Sequence, residues 1–178
     1  MRTLIIQLPP GLASPATSYP HTWVQAGQGL KPAPVQWSVG SLLPAADRQT
    51  ETVAVLPAAV VSWHRVDLPP GLHKQPARLQ AALQGLLEDR LLDDASLLHL
   101  ALEPGARAGQ TLWVAACDAA WLRATLASLQ AAGRPVSRIA PALWPQATVA
   151  QQAFECAGQT WLAASGPHGR YAMPCAAQ

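Results

Sequence analysis

The sequence is poor in charge and lacks the features that mark several large classes of protein. Charged residues make up 12% of its 178 residues, about half of the ~25% found in ordinary globular domains. Lysine occurs only at Lys31 and Lys74, and asparagine is absent. The 12 basic and 10 acidic residues give a net charge of +2 with no basic run. A nucleic-acid-binding domain usually shows a basic stripe, so we predict no nucleic-acid partner.

Cysteine and long apolar runs are also scarce. The three cysteines are odd in number and have no metal-type spacing, so reduced thiols are the simplest interpretation. They are Cys117, Cys156 and Cys175. The longest uncharged apolar stretch, residues 53–62, contains a proline and is far shorter than the ~18 residues that cross a bilayer. The first ten residues are too short an apolar stretch for a signal peptide. We therefore expect a soluble, cytoplasmic chain.

The apolar fraction is large enough to build a sizeable core. Half of the residues (50%) are hydrophobic, which argues against disorder. Short runs bounded by proline and glycine predict strands. These runs cover residues 3–8, 21–26, 35–39, 52–56, 60–68, 97–102, 111–117, 136–140, 160–165 and 170–174. Many successive runs are separated by short turns, which disfavours a purely parallel, doubly wound sheet.

Two longer segments have helical periodicity. In residues 74–92, leucine recurs every fourth residue from Leu79 to Leu91, which predicts an amphipathic helix. In residues 119–132 the apolar side chains again share one face, with Asp118 as the N-cap and Gly133 at the end. Residues 148–154 are predicted as a short final helix. The chain is therefore expected to be mixed α/β, with at least two helices that cover one sheet.

Motifs for catalysis, metal binding and nucleotide binding are weak or missing. The sequence has no phosphate-binding glycine loop and no Gly-x-Ser-x-Gly turn. Its five histidines are scattered, and His64 and Asp67 fall on opposite faces of one predicted strand. Cys117 precedes a helix N-terminus, which can activate a thiol, but it also suits the end of a buried strand. We predict no catalytic residues, no metal site, no cofactor and no enzyme activity.

One charged segment stands out in this charge-poor chain. Residues 88–94 hold four acids and one arginine, namely Glu88, Asp89, Arg90, Asp93 and Asp94. Acidic residues at a helix C-terminus oppose the helix dipole, so this placement does not favour stability. The segment is either a solvated helix end or a surface that meets a basic partner. We name Glu88, Asp89, Asp93 and Asp94 as candidate partner-binding residues, with Arg90 as a counter-charge.

The seven tryptophans outnumber tyrosine and phenylalanine together. Most of them should lie in the core. Trp63, on a long predicted strand, and Trp121, in the first turn of a helix, could instead anchor an interface, since tryptophan is enriched there.

An ordered series of segments resembles a known family. The series consists of residues 53–69, 86–102, 114–122, 139–145 and the closing 160–172. In this order they resemble the cytoplasmic domain of type II secretion system protein L, over nearly the whole chain. The order of the segments is more specific than any one of them.

The resemblance implies a fold, a function and partners. The implied fold is an actin-like or ribonuclease-H-like mixed sheet with covering helices, with residues 1–145 as the first lobe with an inserted subdomain. Residues 146–178 would begin a second lobe, which is incomplete here. The implied function is a scaffold at the cytoplasmic face of the bacterial inner membrane that docks the secretion ATPase, protein E. In the family, a transmembrane helix and a periplasmic domain that contacts protein M normally follow, and this chain stops before them. The sheet edge that such an end leaves open could pair with a second copy, as a homodimer.

Two alternatives to the scaffold stay open at this point. The chain could be a nucleotide-binding fragment of an actin-like or sugar-kinase-type ATPase, or a pilus-assembly adaptor of similar fold. Actin-like ATPases hold phosphate and metal with an acid and a glycine after the first strand. Here residues 4–8 run into Pro9-Pro10-Gly11 with no carboxylate, so we expect no magnesium ligand at that turn.

Overall fold

A computed structural model describes most of the chain. The described residues are 2–25, 33–45, 47, 49–70, 76–107, 109–146, 148–156, 159–167 and 169–175. Eleven strands, two α-helices and short 3-10 turns are assigned in these ranges. The elements form three sheets and confirm the expected mixed α/β class.

The first sheet has five strands in the order β3-β2-β1-β4-β8. Their bounds are Arg2–Gln7 (β1), Ser18–Gln25 (β2), Gln36–Val39 (β3), Thr50–Leu56 (β4) and Arg138–Pro141 (β8). β1 runs parallel to β4 and β4 parallel to β8, whereas β2 is antiparallel to both β1 and β3. The sheet is therefore mixed, as the short connections predicted.

Helix α2 (Ala119–Ala131) covers one face of this sheet. The inward residues Leu4 and Ile6 of β1 are fully buried and share a core cluster with Leu122 and Leu129 of the helix. The alternation along β1 and the three-to-four-residue spacing on α2 bring these side chains together. Gly133, with φ of +73°, ends the helix as expected.

A second unit is inserted between β4 and α2. Strands β5 (Ser62–Asp67), β6 (Leu98–Leu102) and β7 (Thr111–Asp118) form an antiparallel sheet in the order β5-β7-β6. Helix α1 (Pro76–Leu87) packs on it through Leu83 and Leu87, which are almost fully buried. The two helices thus cover two different sheets rather than one, because each has its own apolar cluster.

The third sheet corrects one prediction. Strands β9 (Ala150–Cys156), β10 (Gln159–Gly166) and β11 (Gly169–Pro174) form an antiparallel meander. The predicted helix at 148–154 is wrong, since most of that segment is β9, paired with β10. The predicted hairpin of β10 and β11 is confirmed, although His168 in its turn lies outside the described residues.

Helix α1 is shorter than its periodicity suggested. It ends at Leu87, and Glu88–Arg90 form a separate 3-10 turn. Its predicted start, Lys74 and Gln75, lies outside the described residues. No helix in the described part of the chain combines the length and apolar character needed to cross a bilayer.

Candidate partner-binding surface

The segment with the clustered charges lies on the surface of the inserted unit. We call residues 88–94 the acidic segment. All four of its acids are exposed to solvent. Asp94 accepts a hydrogen bond from the backbone N–H of Ser96 at 2.8 Å, which starts the next 3-10 turn. Hydrogen bonds from Ser96 lower the pKa of Asp94, so its carboxylate is ionised at neutral pH.

Arg90 makes a contact outside the acidic segment. Its Nη1 donates a hydrogen bond to the backbone carbonyl of Arg65 at 2.6 Å. In the described residues it forms no ion pair with any of the four acids. Arg90 therefore ties the acidic segment to strand β5.

A groove of about 940 Å³ lies between the five-stranded sheet with α2 and the inserted unit. Its lining includes the turn after β1 and the first turns of α2, which are joined by a 3.0 Å hydrogen bond from Trp121 Nε1 to the Gly11 carbonyl. Leu12 and Leu92, the latter from the acidic segment, also line it. These two leucines are 74% and 106% exposed, so large apolar side chains border the groove without being covered.

The polar groups of the groove are few and mostly occupied. Asp118 accepts a hydrogen bond from the Trp121 backbone N–H at 2.7 Å and caps α2, as predicted. His64 shares a 2.9 Å hydrogen bond with the Ser62 hydroxyl. Burial, together with the nearby Arg90 charge, lowers the pKa of His64, so its imidazole is neutral at pH 7. Asp93 lines the groove as an exposed carboxylate.

Cys117 also lines the groove, but its thiol is protonated at neutral pH. Burial, with a smaller contribution from the Asp118 carboxylate, raises the pKa of its thiol to about 11. The thiolate is the reactive form of cysteine, so the helix N-terminus does not activate this residue. Cys117 is the end of a buried strand, which was the simpler of the two interpretations.

The structure places the remaining candidate residues in different surroundings. Trp121 is 7% exposed and belongs to the first core. Trp63 is half-buried and packs edge-to-face on Trp144, with ring centroids 5.4 Å apart. Neither indole is presented as a free anchor. His64 and Asp67 are not hydrogen-bonded to each other. Asp67 is the last residue of β5, and it accepts a hydrogen bond from the Thr111 hydroxyl of β7.

The described residues show no group of three or more His, Cys, Asp or Glu side chains placed to hold a metal ion. The turn after β1 lines the groove through Pro10, Gly11 and Leu12. Nothing in that turn carries a charge. A nucleotide at this position would meet mainly apolar side chains, the Asp93 carboxylate and the Arg90 guanidinium.

The fold and the sequence together identify the family. The profile of type II secretion system protein L matches residues 23–174, which is most of the chain. This chain belongs to the type II secretion system protein L family. The resemblance drawn from the ordered segments is thereby confirmed.

Individual relatives support this assignment. Protein L from Vibrio cholerae serotype O1 is 34% identical over 93 residues, which cover 52% of this chain and 22% of that protein. The match thus spans about a fifth of the relative's length. Among solved structures, the cytoplasmic domain of EpsL, an inner-membrane component of the Vibrio cholerae type II secretion system, superposes with a TM-score of 0.69 at 23% identity. That alignment covers 98% of this chain and 71% of the EpsL domain.

A more distant neighbour comes from a PilM–PilN type IV pilus biogenesis complex. It aligns with a TM-score of 0.55 at 14% identity, over 97% of this chain and 60% of the other. The two structural matches confirm the predicted actin-like fold class. At these identities they establish the fold alone.

Sequence reasoning missed the groove as a site. Its lining comes from four separate stretches of sequence, residues 10–12, 59–64, 90–98 and 116–124. No local pattern joins them. The available signal was the pair of leucines that fit no apolar stripe, since Leu12 follows a Pro-Pro-Gly turn and Leu92 lies among acids.

Proposed function

We propose that this chain is a non-enzymatic adaptor of a type II secretion system. Its role is to dock the secretion ATPase, protein E, at the cytoplasmic face of the inner membrane, where protein L also works with protein M. Membership in the protein L family carries the proposal. The two lobes expected from the resemblance, residues 1–145 and 146–178, would form the body of this adaptor.

The acidic segment supports the proposal as a contact surface. It places four exposed carboxylates within seven residues of a chain that has only ten acidic residues in all. Arg90 connects the segment to β5 through a hydrogen bond to the Arg65 carbonyl. Clustered charge of one sign favours association with a complementary partner and makes binding sensitive to salt.

The test is a calorimetric titration of this chain with the N-terminal domain of its cognate protein E. We expect saturable 1:1 binding that weakens between low and moderate salt. The variant Glu88→Lys/Asp89→Lys reverses two exposed charges that lie outside the groove. It should weaken binding at low salt by about tenfold or more and flatten the salt dependence.

The control is Asp47→Lys/Asp67→Lys, which makes the same change in net charge elsewhere. It also removes the hydrogen bonds that Asp47 and Asp67 accept, so its fold is first checked by circular dichroism and thermal unfolding. Neither residue lines the groove. Asp47 lies before the start of β4, whereas the groove is near the end of that strand, and Asp67 is the last residue of β5, whereas the groove is near its start. This control should bind like the unchanged chain. Equal binding by both double variants would reject the acidic segment as the contact. Absence of binding by the unchanged chain would reject ATPase docking by these residues.

A further inference from the structure

The groove between the two helix-covered units has the form of a binding site. Its volume of about 940 Å³ is at the upper end of the ~300–1,000 Å³ typical of ligand pockets. The lining is predominantly apolar and includes Ala120 and Ala124 of α2 together with Val60 and Val61. These small and branched side chains leave room for apolar groups of another molecule.

Uncovered leucines on the rim indicate that the occupant is apolar in part. Leu92 is fully exposed and Leu12 is three-quarters exposed, and both line the groove. Exposed apolar side chains gathered around a concavity mark binding surfaces more often than scattered ones do. A partner that enters the groove would remove both leucines from water.

The charge around the groove specifies the remaining chemistry. Asp93 and Asp118 line the groove, and Glu88, Asp89 and Asp94 belong to the acidic segment, of which residues 90–93 form part of the lining. Half of the ten acids in a chain of net charge +2 are therefore concentrated here. Among the described residues of the lining, Arg90 supplies the one guanidinium, and it already donates to the Arg65 carbonyl. An anionic ligand such as a nucleotide is disfavoured at this position, and a cationic one is favoured.

We propose that the groove binds a short segment of a partner protein that carries apolar side chains flanked by lysine or arginine. The apolar side chains would lie between Leu12, Leu92 and α2, and the basic ones would face the acidic segment. Beside the acidic segment, the groove would thus provide a pocket that selects among the side chains of the partner. It does not depend on the partner being the secretion ATPase.

The test is a selection from a random twelve-residue peptide library on the immobilised chain, followed by anisotropy titration of the enriched peptides. We expect the enriched sequences to combine leucine, isoleucine, methionine or phenylalanine with two or more basic residues. In Ala124→Trp an indole fills the groove from the exposed face of α2, and binding should fall by at least about tenfold. Ala127→Trp, on the same helix but outside the groove lining, should bind like the unchanged chain.

A second pair of variants separates charge from bulk. Ala124→Gln and Ala124→Glu introduce side chains of the same size at one position, one neutral and one acidic. The glutamine should weaken the enriched peptides more than the glutamate does. The reverse order, or enrichment of acidic peptides, would overturn the inference.

Three further outcomes would also contradict the groove site. They are failure of any peptide to enrich, equal binding by Ala124→Trp and Ala127→Trp, and a thermal shift with Mg-ATP that Ala124→Trp abolishes. A concentration-dependent dimer lost in Ala124→Trp alone would assign the groove to a second copy instead. Protein E binding with no peptide enrichment would leave the proposed function standing and reject the groove. Peptide enrichment without protein E binding would do the opposite.

Discussion

At the scale of single residues, His64 shows how burial changes the chemistry of a side chain. It lines the groove with Ser62 as its hydrogen-bond partner at 2.9 Å. Arg90 approaches from the acidic segment, and the carboxylates Asp93 and Asp118 line the same groove. Loss of solvent is the larger cause of its lowered pKa, and the Arg90 charge is the smaller one. The imidazole is therefore kept neutral where an exposed histidine would begin to charge.

This shift makes stability depend on pH in a definite direction. The ordinary pKa of histidine is about 6.5, so below that pH the unfolded chain binds a proton at His64 that the folded chain resists. The free energy of unfolding should therefore fall as the pH drops through about 6.5. Urea unfolding at pH 7.5 and 5.5 should show a smaller difference for His64→Gln than for the unchanged chain.

The control for this prediction is His99→Gln, because His99 is exposed on the edge strand β6. His99→Gln measures the effect of losing one exposed imidazole, and the effect of His64→Gln should exceed it. An identical pH dependence in His64→Gln would show that the burial of His64 does not contribute.

At the scale of elements, the N-terminus of helix α2 is capped by one side chain. No acid is present in its first turn apart from the cap, Asp118, which accepts from the Trp121 N–H at 2.7 Å. That bond fixes the start of the helix at the groove, where the Trp121 indole also reaches Gly11. A change at this one carboxylate should therefore affect the helix and the groove lining together.

Removing the cap has a measurable cost. Asp118→Ala leaves a backbone N–H of the first turn without its partner, and we expect it to lower the free energy of unfolding by about 0.5–2 kcal/mol. Asp118→Asn keeps a side-chain oxygen at the cap and should lose less. Urea denaturation of the two variants gives the comparison. Equal losses in both would assign the effect to the charge rather than to the hydrogen bond.

At the scale of the whole molecule, the described residues form two separate apolar cores. One contains Leu4 and Ile6 with α2, and the other contains Leu83 and Leu87 with the inserted sheet. The groove lies between the two units that these cores stabilise. The position of the acidic segment depends on the second core, because it follows directly after Leu87.

We therefore expect unequal local stability. Leu87 is fully buried, so Leu87→Ala should cost about 2–5 kcal/mol. Amide hydrogen exchange should rise most in α1 and strands β5 to β7, with less change in β1 and β4. Leu86 is 38% exposed, and Leu86→Ala should cost less than about 1 kcal/mol. A uniform rise across both cores in Leu87→Ala would show that the units open only together.

The sequence predicted most elements because their signals are local. Alternation in β1, the four-residue spacing in α1, and Asp118 with Gly133 at the ends of α2 each depend on nearby residues. The prediction of a helix at 148–154 was wrong for the same reason. Its alanine and glutamine residues favour helix locally, but the pairing of Ala150–Cys156 with β10 decided the outcome, and strand preference depends strongly on such context.

The sequence by itself determined the family, the mixed α/β class and the concentration of acids at residues 88–94. These follow from composition, spacing and the order of segments along the chain. The tertiary structure alone decided that each helix covers a separate sheet, that Arg90 bonds to the Arg65 carbonyl, and that four distant stretches enclose a groove. The physical reason is that such contacts join residues remote in sequence, as Trp121 joins Gly11 across 110 positions, and no local pattern encodes them.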